Sequence, residues 1–402
     1  MKILMVCQHY WPEHFQITEI CEELVNRGHK VTALVGLPNY PSGVIPEEYL
    51  YGNNRDQVVN GVRIVRCEEI PRSSGAIGLA KNYCSYVHSA KRKVKSLESD
   101  FDIVFSYQLS PVLMSLPALK AKERFNVPLA LYCCDIWPDA VMAMLPQKMS
   151  FVLPMVKGVS SKVYRGCDLI ATNSRAYIDC MEQVHGVDRN RCRYMPQYAE
   201  DSYLNMDLSA SPSEITRFMV MGNIGKLQHM EDVLGAVNLI KARNDFELHI
   251  VGTGSDIEWC EQYVIKNGLD DKVIFHGRHP FEEMPNFYRM ADACVLTLNV
   301  PGAPWISSTL PSRLQGYMAA GKTIFASIGG SAAQVIEESG CGKAVPAGDQ
   351  AGLASLMVEF IDNKDAFAFC GENGRRYFRE HFMKDRYMDD IEQFLLDAAK
   401  ER

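Results

Sequence analysis

The sequence predicts an α/β protein of two tandem, doubly wound, Rossmann-like domains facing a cleft. Three observations predict it. The chain has 402 residues, too many for one compact core, and 47% hydrophobic with 23% charged residues is the composition of a globular protein. Short apolar runs alternate with segments of helical periodicity, the pattern of a parallel sheet with right-handed crossovers. The alternation pauses in a polar stretch, Glu200 to Ser213, and then restarts, which puts the boundary near 195–212.

The elements follow in order. Lys2 to Cys7 is nearly all apolar, as a strand buried on both faces is. Ile17, Ile20, Cys21, Leu24 and Val25 share one helical face, Gly28 stops that helix, and Lys30 to Val35 is the second strand. Asn60-Gly61 between Val58-Val59 and Val62 to Val65 reads as a hairpin turn. Asp102 to Ser106 is a strand, Val112 to Arg124 a helix, and Pro128 to Cys133 and Leu169 to Thr172 are strands. In the second half the strands are Arg217 to Met221, Glu247 to Val251, Lys272 to His276, Ala293 to Leu298 and Thr323 to Ala326. Before the last of these, Ser307-Ser308-Thr309-Leu310-Pro311-Ser312 leads into a short helix that Gly321 ends. Unpaired amides and the dipole at such a helix start favour an anion. Tyr387 to Ala399 is an amphipathic helix that suits either half.

Composition narrows the function. A net charge of −7 supplies no excess of cations for wholesale nucleic-acid binding. The 13 cysteines are scattered without a CxxC pair, several inside apolar runs, which reads as reduced thiols of a cytoplasmic enzyme. Met1 to Leu4 opens directly into a strand with no secretory segment, and no apolar run approaches membrane-spanning length.

Three clusters at strand ends should face the cleft, where such folds bind ligands. The first is Gln8 to Phe15, with His9, Trp11, Glu13 and His14. The second is Cys134 to Asp139, with Asp135 and Trp137; Asp139 reads equally as a helix cap. The third is Gly222-Asn223-Ile224-Gly225-Lys226, where glycines let backbone approach a phosphate and Lys226 adds charge. Asp100-Phe101-Asp102 matches a metal-binding pattern but precedes a strand. Gly252-Thr253-Gly254 lacks the third glycine of a dinucleotide fingerprint, and His276 and His279 lack a supporting carboxylate or thiol. No metal site is expected. Two basic sets, Lys81, Lys91, Arg92, Lys93 and Lys95, then Lys148, Lys157, Lys162 and Arg165 among Phe151, Leu153, Met155 and Val156, suit either a solvated helix face or contact with an anionic membrane.

In order, Gln8-His9-Tyr10-Trp11-Pro12-Glu13, Arg27 to Val31, Pro38 to Gly43, Asp135-Ile136-Trp137-Pro138, Gly222 to Gly225 and Leu310 to Leu314 resemble the blocks of the GT-B glycosyltransferases of family 4. The nearest branch is the bacterial surface-polysaccharide enzymes of the fucosamine-transferase type. The resemblance implies a retaining, metal-independent transfer of a sugar from a nucleotide diphosphate, UDP foremost, to a saccharide acceptor, often lipid-linked, with no cofactor. It implies an acceptor-binding domain at 1–198, a donor-binding domain at 199–386, and a last helix, 387–402, that crosses back to the first. The acceptor would meet His9, Trp11, Glu13, His14 and Trp137. The donor would meet Gly222, Asn223, Gly225, Gln228, Thr309, Leu310, Pro311, Ser312 and Glu337, the last equally a solvated helix residue, as is Glu338. Asp135 and Lys226 would carry catalysis. Departures are marked: the family's Glu-x7-Glu pair matches Ser308 and Gly316, its phosphate-holding Arg and Lys match Asn223 and Gln228, and its first-domain His falls near Cys134. Lys226 is then the one nearby cation. A nucleotide-sugar epimerase or hydrolase, or a binding-only homologue, fits the same residues.

Overall fold

Long apolar runs become sheet interiors in the computed structural model, which describes residues 1–73, 75–98, 100–142, 152–299, 305 and 309–400. Lys148, Phe151, Ser307 and Ser308 lie outside the described residues. The chain forms two compact units. One comprises Met1–Asn173, Tyr177–Met195 and Met388–Arg402; the other comprises Ser174–Ala176 and Pro196–Tyr387.

The first unit runs β1 (Lys2–Val6), α1 (Gln16–Asn26), β2 (Lys30–Val35), β3 (Asp56–Val59), β4 (Val62–Arg66), α2 (Ala76–Val94), β5 (Ile103–Gln108), α3 (Leu116–Phe125), β6 (Leu129–Cys133), α4 (Asp139–Met142), α5 (Leu153–Gly166), β7 (Leu169–Thr172), α6 (Arg175–Gln183) and β8 (Cys192–Tyr194). Its sheet has the order β3-β4-β2-β1-β5-β6-β7-β8, and every pairing is parallel except the β3–β4 hairpin. β5, β6 and β7 are buried at every position, so no alternation of polarity survives in them. α1 ends where Gly28 takes φ +88° and the His29 amide reaches back to the Leu24 carbonyl at 3.0 Å.

The second unit runs β9 (Thr216–Met221), α7 (Met230–Ile240), β10 (Phe246–Val251), α8 (Ile257–Asn267), β11 (Val273–Gly277), α9 (Met284–Met290), β12 (Ala293–Thr297), α10 (Ser312–Ala319), β13 (Thr323–Ser327), α11 (Gly330–Ser339), β14 (Gly342–Val345), α12 (Gln350–Asp362) and α13 (Cys370–His381). The order β11-β10-β9-β12-β13-β14 is parallel throughout. Phe218, Phe325, Phe360 and Phe367 pack edge-on in its core, with Phe325 5.3 Å from both Phe360 and Phe367.

Three expectations shift. The single helix expected over Val112 to Arg124 begins as a tight 3-10 turn, Val112–Ser115, and becomes α-helical at Leu116, where Pro117 sits in the first turn. β8 and β14 were not foreseen, because Cys-Arg-Tyr and Gly-Lys-Ala-Val carry no apolar run and pair on one side only. The last helix, α14, spans Lys384–Lys400. From Met388 onward it belongs to the first unit: Arg27 Nη1 donates to Glu392 Oε2 at 2.9 Å, His29 meets Glu392 at 2.8 Å, and Arg193 Nη1 donates to Asp397 at 2.8 Å.

Candidate functional site

In the second unit the loops leaving β9 and β10 run side by side. The Gly222 amide donates to Val251 O (2.9 Å), Ile224 to Thr253 O (3.0 Å) and Gly252 to Gly277 O (2.8 Å), so the parallel ladder continues past the strands. Only glycine permits this approach. Gly252 has φ +145°, and a β-carbon there would lie 1.8 Å from Gly222 O; one at Gly254 would lie 2.2 Å from Ile224 O. The result is a hollow of about 540 Å3 walled by bare backbone, with Asn223, Thr253, Arg278, His279 and Met284 around it.

The expectation that the amides of Gly222 to Gly225 face a ligand needs correcting. Those of Gly222 and Ile224 are spent in the ladder, and Gly225 N donates to Gln228 Oε1 at 3.0 Å, which also accepts from Asn223 Nδ2 at 3.2 Å. Gln228 therefore shapes the loop from within. Among the described residues only the Asn223 amide of the four has no acceptor. Lys226 is exposed beside this loop and does not line the hollow.

Lys226 is also not the one cation there. Arg313 reaches in from the first turn of α10: its Nη2 donates to Asn223 O at 2.7 Å, and it lies 3.5 Å from where a Gly222 β-carbon would be. Its Nη1 is buried with no acceptor among the described residues. Sequence reading quoted Arg313 without assigning it a task, because the reach of a long side chain across to β9 has no sequence signal. Arg278 has no task in the sequence reading either, and the Gly252-Thr253-Gly254 run is discounted there for want of a third glycine; the glycine that meets it in space, Gly222, follows β9.

α10 starts at Ser312 with Pro311 as its cap and no side-chain cap. The Leu314 amide turns back to Pro311 O (2.9 Å), leaving those of Ser312 and Arg313 without acceptors among the described residues. Leu310 packs on the core and Thr309 is half-buried. Gly321 ends the helix at φ +70°, with the Lys322 amide on Tyr317 O at 3.0 Å, as expected. At Gly316 a β-carbon would lie 3.3 Å from the Tyr288 hydroxyl. Glu337 is exposed in the last turn of α11, about 10 Å along the axis from Gly330, so the structure does not bring it to the strand ends. Its neighbour Glu338 pairs with Arg175 and Tyr377.

In the first unit, the loops after β1 and β2 enclose a second hollow of about 330 Å3 between Glu13, His14 and the Asn39-to-Ser42 turn. Glu13 is its organiser: Oε1 accepts from the Asn39 and Tyr40 amides, both at 2.7 Å, and Oε2 meets His9 Nδ1 at 2.8 Å. The His9 ring is buried between Phe15 (5.1 Å) and Tyr40 (5.4 Å), while His14 is exposed. Trp11 is fastened by Arg66, whose Nη2 donates to its carbonyl at 2.8 Å. Beneath them Gln8 donates to Glu69 (3.0 Å) and Asn82 (2.9 Å), and burial pushes the Glu69 carboxyl well above the ordinary range.

Asp135 and Trp137 come together at the end of β6 through Ser110. The Ser110 hydroxyl donates to Asp135 Oδ2 at 2.7 Å and accepts from the Trp137 indole at 3.2 Å. Burial raises the Asp135 carboxyl and the Ser110 bond pulls it partly back. Asp100 and Asp102 stand at the amino end of β5, where Asp102 accepts from the Lys2 amide at 2.7 Å. Among the described residues no three His, Cys, Asp or Glu side chains assemble as metal ligands.

Two family models match the chain, "Glycosyl transferase 4-like domain" over residues 14–197 and "Glycosyl transferases group 1" over residues 216–363. "Probable glycosyltransferase WbjE" of Pseudomonas aeruginosa is 23% identical over 310 residues, covering 74% of this chain and 76% of that protein. The lipopolysaccharide 1,6-galactosyltransferase of Escherichia coli K12 is 24% identical over 44% of this chain and 46% of its own. Among solved structures, Anabaena HepE in complex with UDP superposes with a TM-score of 0.69 at 16% identity, covering 99% of this chain and 100% of that one.

Proposed function

This chain is a glycosyltransferase of the GT-B fold that uses a nucleotide-sugar donor, and we propose that it performs a retaining, metal-independent transfer from a UDP-sugar to a lipid-linked saccharide in surface-polysaccharide synthesis. The observation that carries this reading is the glycine-walled hollow of the second unit, with Arg313 Nη1, unsatisfied among the described residues, beside it. Bare backbone admits a diphosphate closely, and a guanidinium with one nitrogen held by Asn223 O and the other without an acceptor among the described residues suits a phosphate oxygen.

Transfer breaks the bond from the sugar C1 to the diphosphate oxygen, and the leaving group gains negative charge. Fixed donors aimed at that charge are the largest source of acceleration. On the second unit these are Arg313, the Asn223 amide and the two open amides at the start of α10, with exposed Lys226 as a further cation. With retention the acceptor arrives on the face the diphosphate leaves, so the departing phosphate takes the acceptor proton. On the first unit Asp135 orients the acceptor hydroxyl; a carboxyl raised by enclosure exchanges protons closer to neutral pH. The hollow at Glu13 and His14, with His9 and Trp11 nearby in sequence, is assigned to the acceptor saccharide, as is Trp137 after β6. The free state of all 13 cysteines suits a cytoplasmic setting, and the basic helices of the first unit suit the inner face of the membrane.

A thermal-shift panel of UDP-, GDP-, dTDP- and ADP-sugars tests the donor, because binding stabilises the native state by mass action. The UDP series should raise the melting temperature most. No stabilisation by any nucleotide sugar refutes the donor site, and donor breakdown at full rate without acceptor identifies a hydrolase instead.

A further inference from the structure

The first unit contains a larger hollow, about 1080 Å3, apart from the loops assigned above. Phe101 leads into β5, Phe125 and Pro128 into β6, and Asp168 into β7, so it opens at the amino ends of the strands. The loops carrying His9, Glu13 and Asp135 leave the carboxyl ends. A strand's length, about 16 Å for five residues, separates the two.

Three lysines converge on it from three helices: Lys91 of α2, Lys120 of α3 and Lys162 of α5. The side where α3 and α5 meet is tight, since a β-carbon at Gly166 would lie 2.4 Å from Leu119 Cδ2. Glu123 answers all three lysines, and Lys120 already holds it at 2.9 Å. Lys122 is occupied elsewhere, donating to Asp168 at 2.7 Å and to Gly166 O at 3.0 Å. The Lys91 ammonium is pulled below its usual range, first by burial and then by Lys162, which marks an environment short of negative charge. The remaining wall is apolar, with Phe101 and Phe125 5.2 Å apart.

We propose that this hollow binds a phosphorylated amphiphile, a phosphate ester on an apolar chain, with the three ammonium groups taking the phosphate and the Phe101–Phe125 wall taking the chain. Neither element suffices for the other half of such a ligand. The site stands apart from the donor and acceptor loops, so its failure leaves the proposed function as it was.

The test uses the full chain with monododecyl phosphate below its micelle concentration, inorganic phosphate, and phosphatidylglycerol–phosphatidylcholine vesicles. Calorimetry should show the alkyl phosphate binding at least tenfold more tightly than inorganic phosphate. Lys91→Gln/Lys120→Gln/Lys162→Gln should weaken it tenfold or more, and the single exposed Lys162→Glu several-fold, with stabilisation by UDP unchanged in both. Equal affinity for the two phosphates removes the apolar half of the proposal. Undiminished alkyl-phosphate binding by both variants overturns it, as does adsorption to the vesicles without binding of the soluble amphiphile, which marks diffuse surface attraction.

Discussion

Arg313→Gln isolates the proposed diphosphate grip. In the free protein the guanidinium gives Nη2 to Asn223 O at 2.7 Å and keeps Nη1 buried without an acceptor among the described residues. The first bond is worth about 1 kcal/mol to folding, and an orphaned buried donor costs about 1–3 kcal/mol, so their loss together should move the melting temperature of the unliganded protein little. Binding is different. A phosphate oxygen at Nη1 ends that penalty and forms a charge-assisted bond worth about 1.5–3 kcal/mol. Losing it should weaken UDP binding roughly ten- to hundredfold, at about 1.4 kcal/mol per decade. Arg313→Lys should recover only part, because one ammonium cannot keep the fixed fork that serves Asn223 O and a phosphate at once. Isothermal titration with UDP, beside the melting temperature of each free variant, reads both terms. Arg313→Gln binding UDP within threefold of the parent would show that Arg313 fastens the loop and nothing more.

Further outcomes are expected. Asp135→Asn should abolish most turnover yet raise stability near neutral pH: burial lifts the folded carboxyl above about 3.9, so the folded state holds the proton longer and the parent loses stability as pH rises through that window. The gain should vanish near pH 4 in thermal melts; a variant no more stable at pH 7 than at pH 4, relative to the parent, refutes the burial argument. Gly252→Ala should cost at least about 1–3 kcal/mol in urea denaturation and abolish UDP binding, since its β-carbon meets Gly222 O at 1.8 Å; retention of both counts against the bare-backbone wall. Glu13→Ala should destabilise the first unit by about 1.5–3 kcal/mol, as two amides lose a charged acceptor, and weaken acceptor use while sparing UDP affinity in calorimetry.

The alternation of strands and helices was legible because parallel strands are buried on both faces and announce themselves as unbroken apolar runs, as β5 to β7 do. Turn chemistry was legible where glycine must take positive φ, at Gly28 and Gly321. Asp135 beside Trp137 was readable as a cluster, but the Ser110 hydroxyl joining them comes from another strand end. The glycine-walled hollow of the second unit was only half readable. Its floor depends on Gly222 and Gly252, thirty residues apart, touching through neighbouring strands, and local spacing rules do not register such an encounter. The use of Gln228 to occupy the Gly225 amide was within reach, since a side chain three positions on commonly bonds back.

The first unit is built from both extremes of the chain, with Glu392 and Asp397 clamping Arg27, His29 and Arg193. During synthesis that unit stays unfinished until residues near position 397 have left the ribosome, whereas nearly all of the second is contiguous and ends at Tyr387. The unit that starts first is therefore completed last, and a chain that stops before residue 390 holds all of the second unit joined to a first unit without its clasp.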